Sequence, residues 1–192
     1  MDKRHGGIAL PALLAGACLA AALGCGGGGT RDRPTLSGFS PAQAKAGDTV
    51  VISGTSFDGT TAVSFEGAPA AGYKAQGNFV ITATVPADAV TGYITVANPA
   101  GIASSTQKLT VAPVIASLEP DHGPAGTTVT VTGSGLMGVT ALAIGGDPSS
   151  SFTPYYSPTQ VMLVVGAGAV TGPVTLTASG VGCTGPQFTV EP

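Results

Sequence analysis

Few side chains in this 192-residue chain have the types and spacing that chemistry requires. Catalysis needs an acid, base or nucleophile held by partners. Of two histidines, His5 falls in an apolar N-terminal stretch, which leaves His122 beside Asp121. Adjacent side chains on an extended or turning backbone diverge, so Asp121-His122 is not expected to form a dyad. Glu119-Pro120-Asp121-His122-Gly123-Pro124 reads as a turn. A zinc site lacks ligands. Calcium needs several converging oxygens, whereas Asp58 and Asp147 fall in different loops, outside any run of closely spaced aspartates. Gly26 to Gly29 is not a phosphate loop, since no strand precedes it and no helix follows. No catalytic residue, metal or cofactor is therefore expected, and the chain reads as non-enzymatic. The side chains left for ligand binding are aromatic. In Tyr155-Tyr156, adjacent strand residues face opposite sides, which leaves one ring outward where a sugar could stack. Tyr73, Phe79 and Tyr93 are further possibilities.

Charge narrows the partners. Charged residues make up 9% of the chain, against a typical ~25%. The net charge is −3 and the pI is about 5.1, which gives no electrostatic basis for holding phosphates. Nucleic acid is not an expected partner. The missing charge is replaced by small and turn-forming residues, among them 30 Gly and 15 Pro.

At the N-terminus, Lys3 and Arg4 precede Ile8 to Leu23, a charge-free run of 16 residues rich in Ala and Leu. That is short of the ~20 residues a membrane span needs and suits the apolar core of an export signal over residues 1–24, with a retained anchor helix as the alternative. The end of the signal has two readings. Ala20-Ala21-Ala22 fits the small-x-small pattern of ordinary signal cleavage. Ala22-Leu23-Gly24-Cys25 resembles the lipobox of bacterial lipoproteins, although that family prefers Leu where Ala22 stands. The resemblance implies lipidation of Cys25, anchoring to a membrane and, with Gly26 next to the cysteine, sorting to the outer membrane. Gly26 to Gly29 opens a flexible tether over residues 25–33. Without lipidation the protein would be secreted. Cys18 is a weaker candidate, since it would leave a very short apolar run. With Cys18 in the signal and Cys25 lipidated, Cys183 remains alone in the folded part. It reads as a small apolar filler or a loop thiol, without a disulfide.

The elements that must position any site come in two copies. Ala46-Gly47-Asp48-Thr49-Val50-Val51-Ile52-Ser53-Gly54 returns as Ala125-Gly126-Thr127-Thr128-Val129-Thr130-Val131-Thr132-Gly133, 79 residues on. Each is a turn ending in Gly, a period-2 strand and a closing Gly, so the chain is a tandem repeat of one small β domain, over 34–111 and 113–192. The closing glycines are expected to provide a sharp or positive-φ turn. Comparing copies resolves which strand face is buried. Val50-Val51-Ile52 is ambiguous, but Val129-Thr130-Val131 puts Val129 and Val131 inside, hence Val50 and Ile52 as well. The same comparison selects Phe65 with Ile144, Ile81 with Val161, Val96 with Leu176 and Leu109 with Phe188. Phe57 and Leu136 are expected to plug the ends of the cores. About seven short strands per copy, separated by Gly/Pro turns, read as a β-sandwich. The short linker Ala112-Pro113 predicts domains packed end to end.

The repeat resembles the IPT/TIG family of immunoglobulin-like domains. Its pattern is met by Pro34, Leu36, Pro41, Gly47, Val50, Ile52, Gly54, Phe57, Val85-Pro86, Thr91-Gly92 and Leu109-Thr110-Val111. The second copy supplies Pro113, Ile115, Pro120, Gly126, Val129, Val131, Gly133, Leu136, Thr171-Gly172 and Phe188, and departs at Val165-Gly166, where Pro is expected. The resemblance implies an all-β fold of two tandem E-set-type sandwiches. It also implies a non-enzymatic envelope protein serving as a spacer or binding module for a protein or polysaccharide, with a secreted carbohydrate-binding accessory protein as the alternative.

Overall fold

The computed structural model describes residues 32–147, 151–153 and 157–192, and among them it is all strand and turn. The first copy runs β1 (Thr35–Ser40), β2 (Gln43–Ala44), β3 (Thr49–Thr55), β4 (Ala62–Phe65), β5 (Ala68–Pro69), β6 (Gly72–Gln76), β7 (Val80–Thr84), β8 (Gly92–Asn98) and β9 (Gly101–Val111). The second runs β10 (Val114–Glu119), β11 (His122–Gly123), β12 (Thr128–Ser134), β13 (Val139–Ile144), β14 (Ser151–Thr153), β15 (Gln160–Val164), β16 (Gly172–Ala178) and β17 (Val181–Val190). The count exceeds the expected seven because two-residue strands, too short to show a period, flank the longer ones.

Each copy closes into two sheets. In the first they run β1-β3-β7-β6 and β2-β9-β8-β4-β5, and in the second β10-β12-β15-β14 and β11-β17-β16-β13. Pairings are antiparallel except β2 with β9 and β11 with β17, which are parallel. Even the irregularities repeat. The β1–β3 register shifts between Leu36 and Gly38, and the β10–β12 register shifts between Ile115 and Ser117. After β5 the chain changes sheets within two residues: Ala70 N–H donates to Val63 O on β4, and Ala71 N–H donates to Thr84 O on β7.

Two separate cores fill the sandwiches. One gathers Val50, Ile52, Phe57, Phe65, Ile81, Val96 and Leu109 among others, and the other Val129, Val131, Leu136, Ile144, Val161, Leu176 and Phe188. Alternation decides the faces: Val50 and Ile52 are fully buried while Val51 between them is exposed. The opening strands differ slightly from expectation, in that Leu36 and Phe39 are half-buried against the first core whereas Ile115 and Leu118 are buried in the second.

The closing glycines act otherwise than the sequence predicts. Neither Gly54 nor Gly133 has positive φ. Instead, a Cβ on Gly54 would lie 1.9 Å from Thr35 O, and one on Gly133 would lie 1.9 Å from Val114 O. The requirement is a close approach of backbone from the neighbouring strand. The left-handed position comes two residues later, at Ser56 with φ 60 and at Gly135 with φ 65.

Candidate functional site

The strand register places one end of the first sandwich at the β3–β4 loop, the β6–β7 turn and the β8–β9 hairpin, since Thr55 on β3 pairs with Thr35, Ser53 with Val80, and Ala62 with Ala97. The chain enters the domain at this same end. A cleft of about 350 Å³ opens here, lined by Asp32, Ser56, Asp58, Gly77 and Asn78, within the ~300–1,000 Å³ usual for ligand sites.

Asn98 builds the floor of this end. It is buried, and all its hydrogen-bonding capacity is used: Nδ2 donates to Asp32 O at 2.8 Å and to Ser56 O at 3.0 Å, and Oδ1 accepts from the N–H groups of Ala100 at 2.9 Å and Gly101 at 3.1 Å. One amide thus ties the incoming chain, the β3–β4 loop and the β8–β9 hairpin together. Arg33 adds a second tie, its Nε and Nη2 donating to Ile102 O at 2.9 and 2.7 Å. Across the loop, Asp58 N–H donates to Asn78 Oδ1 at 3.2 Å, and Phe57 N–H donates to Asn78 O at 3.2 Å. The cleft walls are therefore held by specific bonds rather than by packing alone. Phe79 follows Asn78 and is 62% exposed. It lies in the β6–β7 turn just before β7, and its carbonyl accepts from Gly54 N–H at 2.9 Å.

The other predicted aromatics are differently occupied. Tyr73 donates its hydroxyl to Thr60 O at 3.3 Å. The Tyr93 ring carries Lys108 Nζ 5.3 Å from its centroid, which takes one face of the ring. Tyr155 and Tyr156, the leading sequence candidates, lie outside the described residues, as do Cys25, the signal and the tether up to Arg31.

Asp121 and His122 correct an expectation. Their side chains meet, with Nδ1 and Oδ1 2.7 Å apart, because the chain bends through Pro120-Asp121 before β11. The bond to Asp121, reinforced by the charges of Glu191 and Glu119, raises the histidine pKa above its ordinary value, and the same bond lowers that of Asp121. Both side chains are well exposed. Cys183 is a free thiol, half-buried against the second core, and burial pushes its pKa up, away from a reactive thiolate. Among the described residues, no group of three or more His, Cys, Asp or Glu could hold a metal ion, and no helix is long and apolar enough to cross a membrane.

Sequence reasoning missed Asn98 and Arg33. The available signal was a comparison of copies, because a buried Asn stands on β8 where β16 has the buried Ala178.

A family model described as the IPT/TIG domain matches residues 34–111 and again 113–190. No curated protein sequence matches the chain. Among solved structures, similarity is found to SGBP-B from a xyloglucan utilization locus in Bacteroides uniformis, at 18% identity and a TM-score of 0.40 over 82% of this chain and 49% of that one. The surface glycan-binding protein of Prevotella bryantii is 14% identical, with a TM-score of 0.46 over 81% of this chain and 42% of its own. The extracellular region of plexin A4 is 20% identical, with a TM-score of 0.39 over 86% of this chain and 19% of its own. The chain spans less than half the length of each of these three proteins.

Proposed function

The chain belongs to the IPT/TIG family, in two tandem domains, and on that premise we propose that it is a non-enzymatic, lipid-anchored protein of the cell envelope, whose sandwiches serve as spacer and binding modules for a protein or polysaccharide partner. The observation that carries this reading is the cleft at the entry end of domain 1. Its walls present carboxylates, an amide and a hydroxyl, and bonds to Asn78 Oδ1 and Ser56 O hold the loops that carry them. Such a lining is suited to recognising polar groups. The tether would leave this end facing the anchor, with domain 2 beyond it.

The anchor rests on Ala22-Leu23-Gly24-Cys25 and the glycines after it. Intact mass spectrometry of the protein recovered from membranes tests it. Cleavage before Cys25 with added acyl chains, lost in Cys25→Ser, is the expected result. An unacylated product starting between Ala21 and Leu23 overturns the anchor and makes the protein a secreted one. The exposed ring of Phe79, next in sequence to the lining residue Asn78, offers either kind of partner an apolar face.

A further inference from the structure

The two copies serve as each other's control for what the fold demands at the cleft. Backbone bonds set the equivalent positions. Gly54 N–H donates to Phe79 O as Gly133 N–H donates to Thr159 O, and Phe57 N–H donates to Asn78 O as Leu136 N–H donates to Pro158 O. Asp58, Asn78 and Phe79 therefore stand where domain 2 has Met137, Pro158 and Thr159. Both sets are compatible with the same register and the same pair of sheets.

Solvation accounts for part of the difference. Both ends receive the incoming chain, which in domain 2 comes close enough that a Cβ on Gly135 would lie 2.9 Å from Ala112 O, but Met137, Pro158 and Thr159 are half-buried there whereas Asp58, Asn78 and Phe79 are exposed. Polar Asp58 and Asn78 at exposed positions, and apolar Met137 and Pro158 at half-buried ones, follow from exposure alone. Phe79 does not. The exposed position carries the aromatic ring, while the half-buried one carries Thr159. Exposure alone would reverse them.

We propose that the cleft, together with the exposed Phe79 that follows its lining residue Asn78, is a glycan subsite, in which Asp58 and Asn78 bind hydroxyls of a neutral polysaccharide while a sugar ring stacks on Phe79. The inference rests on the reading of the chain as a binding module and names the ligand class of that module. The sugar's C–H face meets the aromatic ring. The Asp58 carboxylate accepts from hydroxyls, a charge-assisted bond stronger than a neutral one. Asn78 already uses Oδ1 on the Asp58 N–H, which leaves its NH2 group to donate to sugar oxygens. Asn98 holds the Asp32 and Ser56 walls in place before any ligand arrives, so little ordering remains to be done on binding. Asp32 and Asp58 both line the cleft, and the neighbouring Arg33 guanidinium is engaged on Ile102 O, an arrangement that disfavours acidic sugars.

The test titrates the mature chain on an array of neutral, anionic and cationic oligosaccharides, with and without EDTA. It is accompanied by Phe79→Thr and Asp58→Met, which install residues that domain 2 already uses at these positions, and by Phe79→Tyr, which keeps the ring. Unchanged Tm in each variant confirms folding. The expected result is EDTA-insensitive binding of a neutral oligosaccharide, weakened about tenfold by Phe79→Thr and retained by Phe79→Tyr, with Asp58→Met also weakening it. Neutral-glycan binding that survives both Phe79→Thr and Asp58→Met overturns the subsite while leaving the binding-module reading intact. Binding confined to charged sugars, binding abolished by EDTA, or none at all overturns the ligand class.

Discussion

Single residues in this protein are constrained by approach distance more than by chemistry. Gly54→Ala forces a methyl group against Thr35 O at 1.9 Å, and since the obstacle is backbone rather than a movable side chain, the change is expected to cost about 3 kcal/mol or more. Gly38→Ala meets nothing within 4 Å and is expected to cost well under 1 kcal/mol, so urea denaturation of the two variants separates a steric glycine from a tolerant one. Ser56 holds φ 60 where the second copy has Gly135. Ser56→Gly removes left-handed strain of about 1–2 kcal/mol, part of which glycine's freedom in the unfolded chain offsets, for a net gain of up to about 1 kcal/mol in the same assay. At Asp121-His122 the sign follows from the raised histidine pKa. The pair's contribution is complete below the ordinary histidine value of 6.5 and fades as pH rises through the higher folded value. In an NMR titration, Asp121→Asn should return His122 toward 6.5. A His122 titration unmoved by the substitution would mean that the 2.7 Å contact does not persist in solution.

At the level of strands, facing decides consequence. Ile52 is fully buried and Val51 beside it is 40% exposed. Ile52→Ala should therefore cost about 2–5 kcal/mol, while Val51→Thr, which copies Thr130 of the second domain, should change stability by less than about 0.5 kcal/mol. Equilibrium unfolding that ranked the two alike would contradict the register of β3. This alternation is legible in the amino-acid sequence, because two diverged copies of one strand remove an ambiguity that Val50-Val51-Ile52 alone leaves open. Phe57 and Leu136 are legible for the same reason. The glycine role is not, because a one-dimensional pattern says that a side chain is missing without saying whether a torsion or a neighbouring carbonyl requires it. Nor is the contact of Asp121 with His122, which depends on how the chain bends at Pro120-Asp121. Of the proposed subsite, Phe79 is visible as an aromatic candidate. Asn98 stands out only as a difference between the copies, and its role shows once the distant Asp32 and Ser56 are brought to the same amide as the nearby Ala100 and Gly101.

For the whole molecule, the two cores share no residue. Phe57→Ala should cost domain 1 about 3–5 kcal/mol and leave the amide exchange protection of β12 and β15 in domain 2 unchanged. Loss of protection in both would show that the domains unfold as one unit. The parallel pairing of β2 with β9, and of β11 with β17, has a mechanical consequence. Tension applied to the two ends of a domain drags β2 toward the N-terminus and β9 toward the C-terminus, in opposite directions along their common axis. Their hydrogen bonds are then loaded in shear and must fail together, instead of opening one after another as in a peeled hairpin. Each sandwich is thereby built to stay shut under tension between its two chain ends.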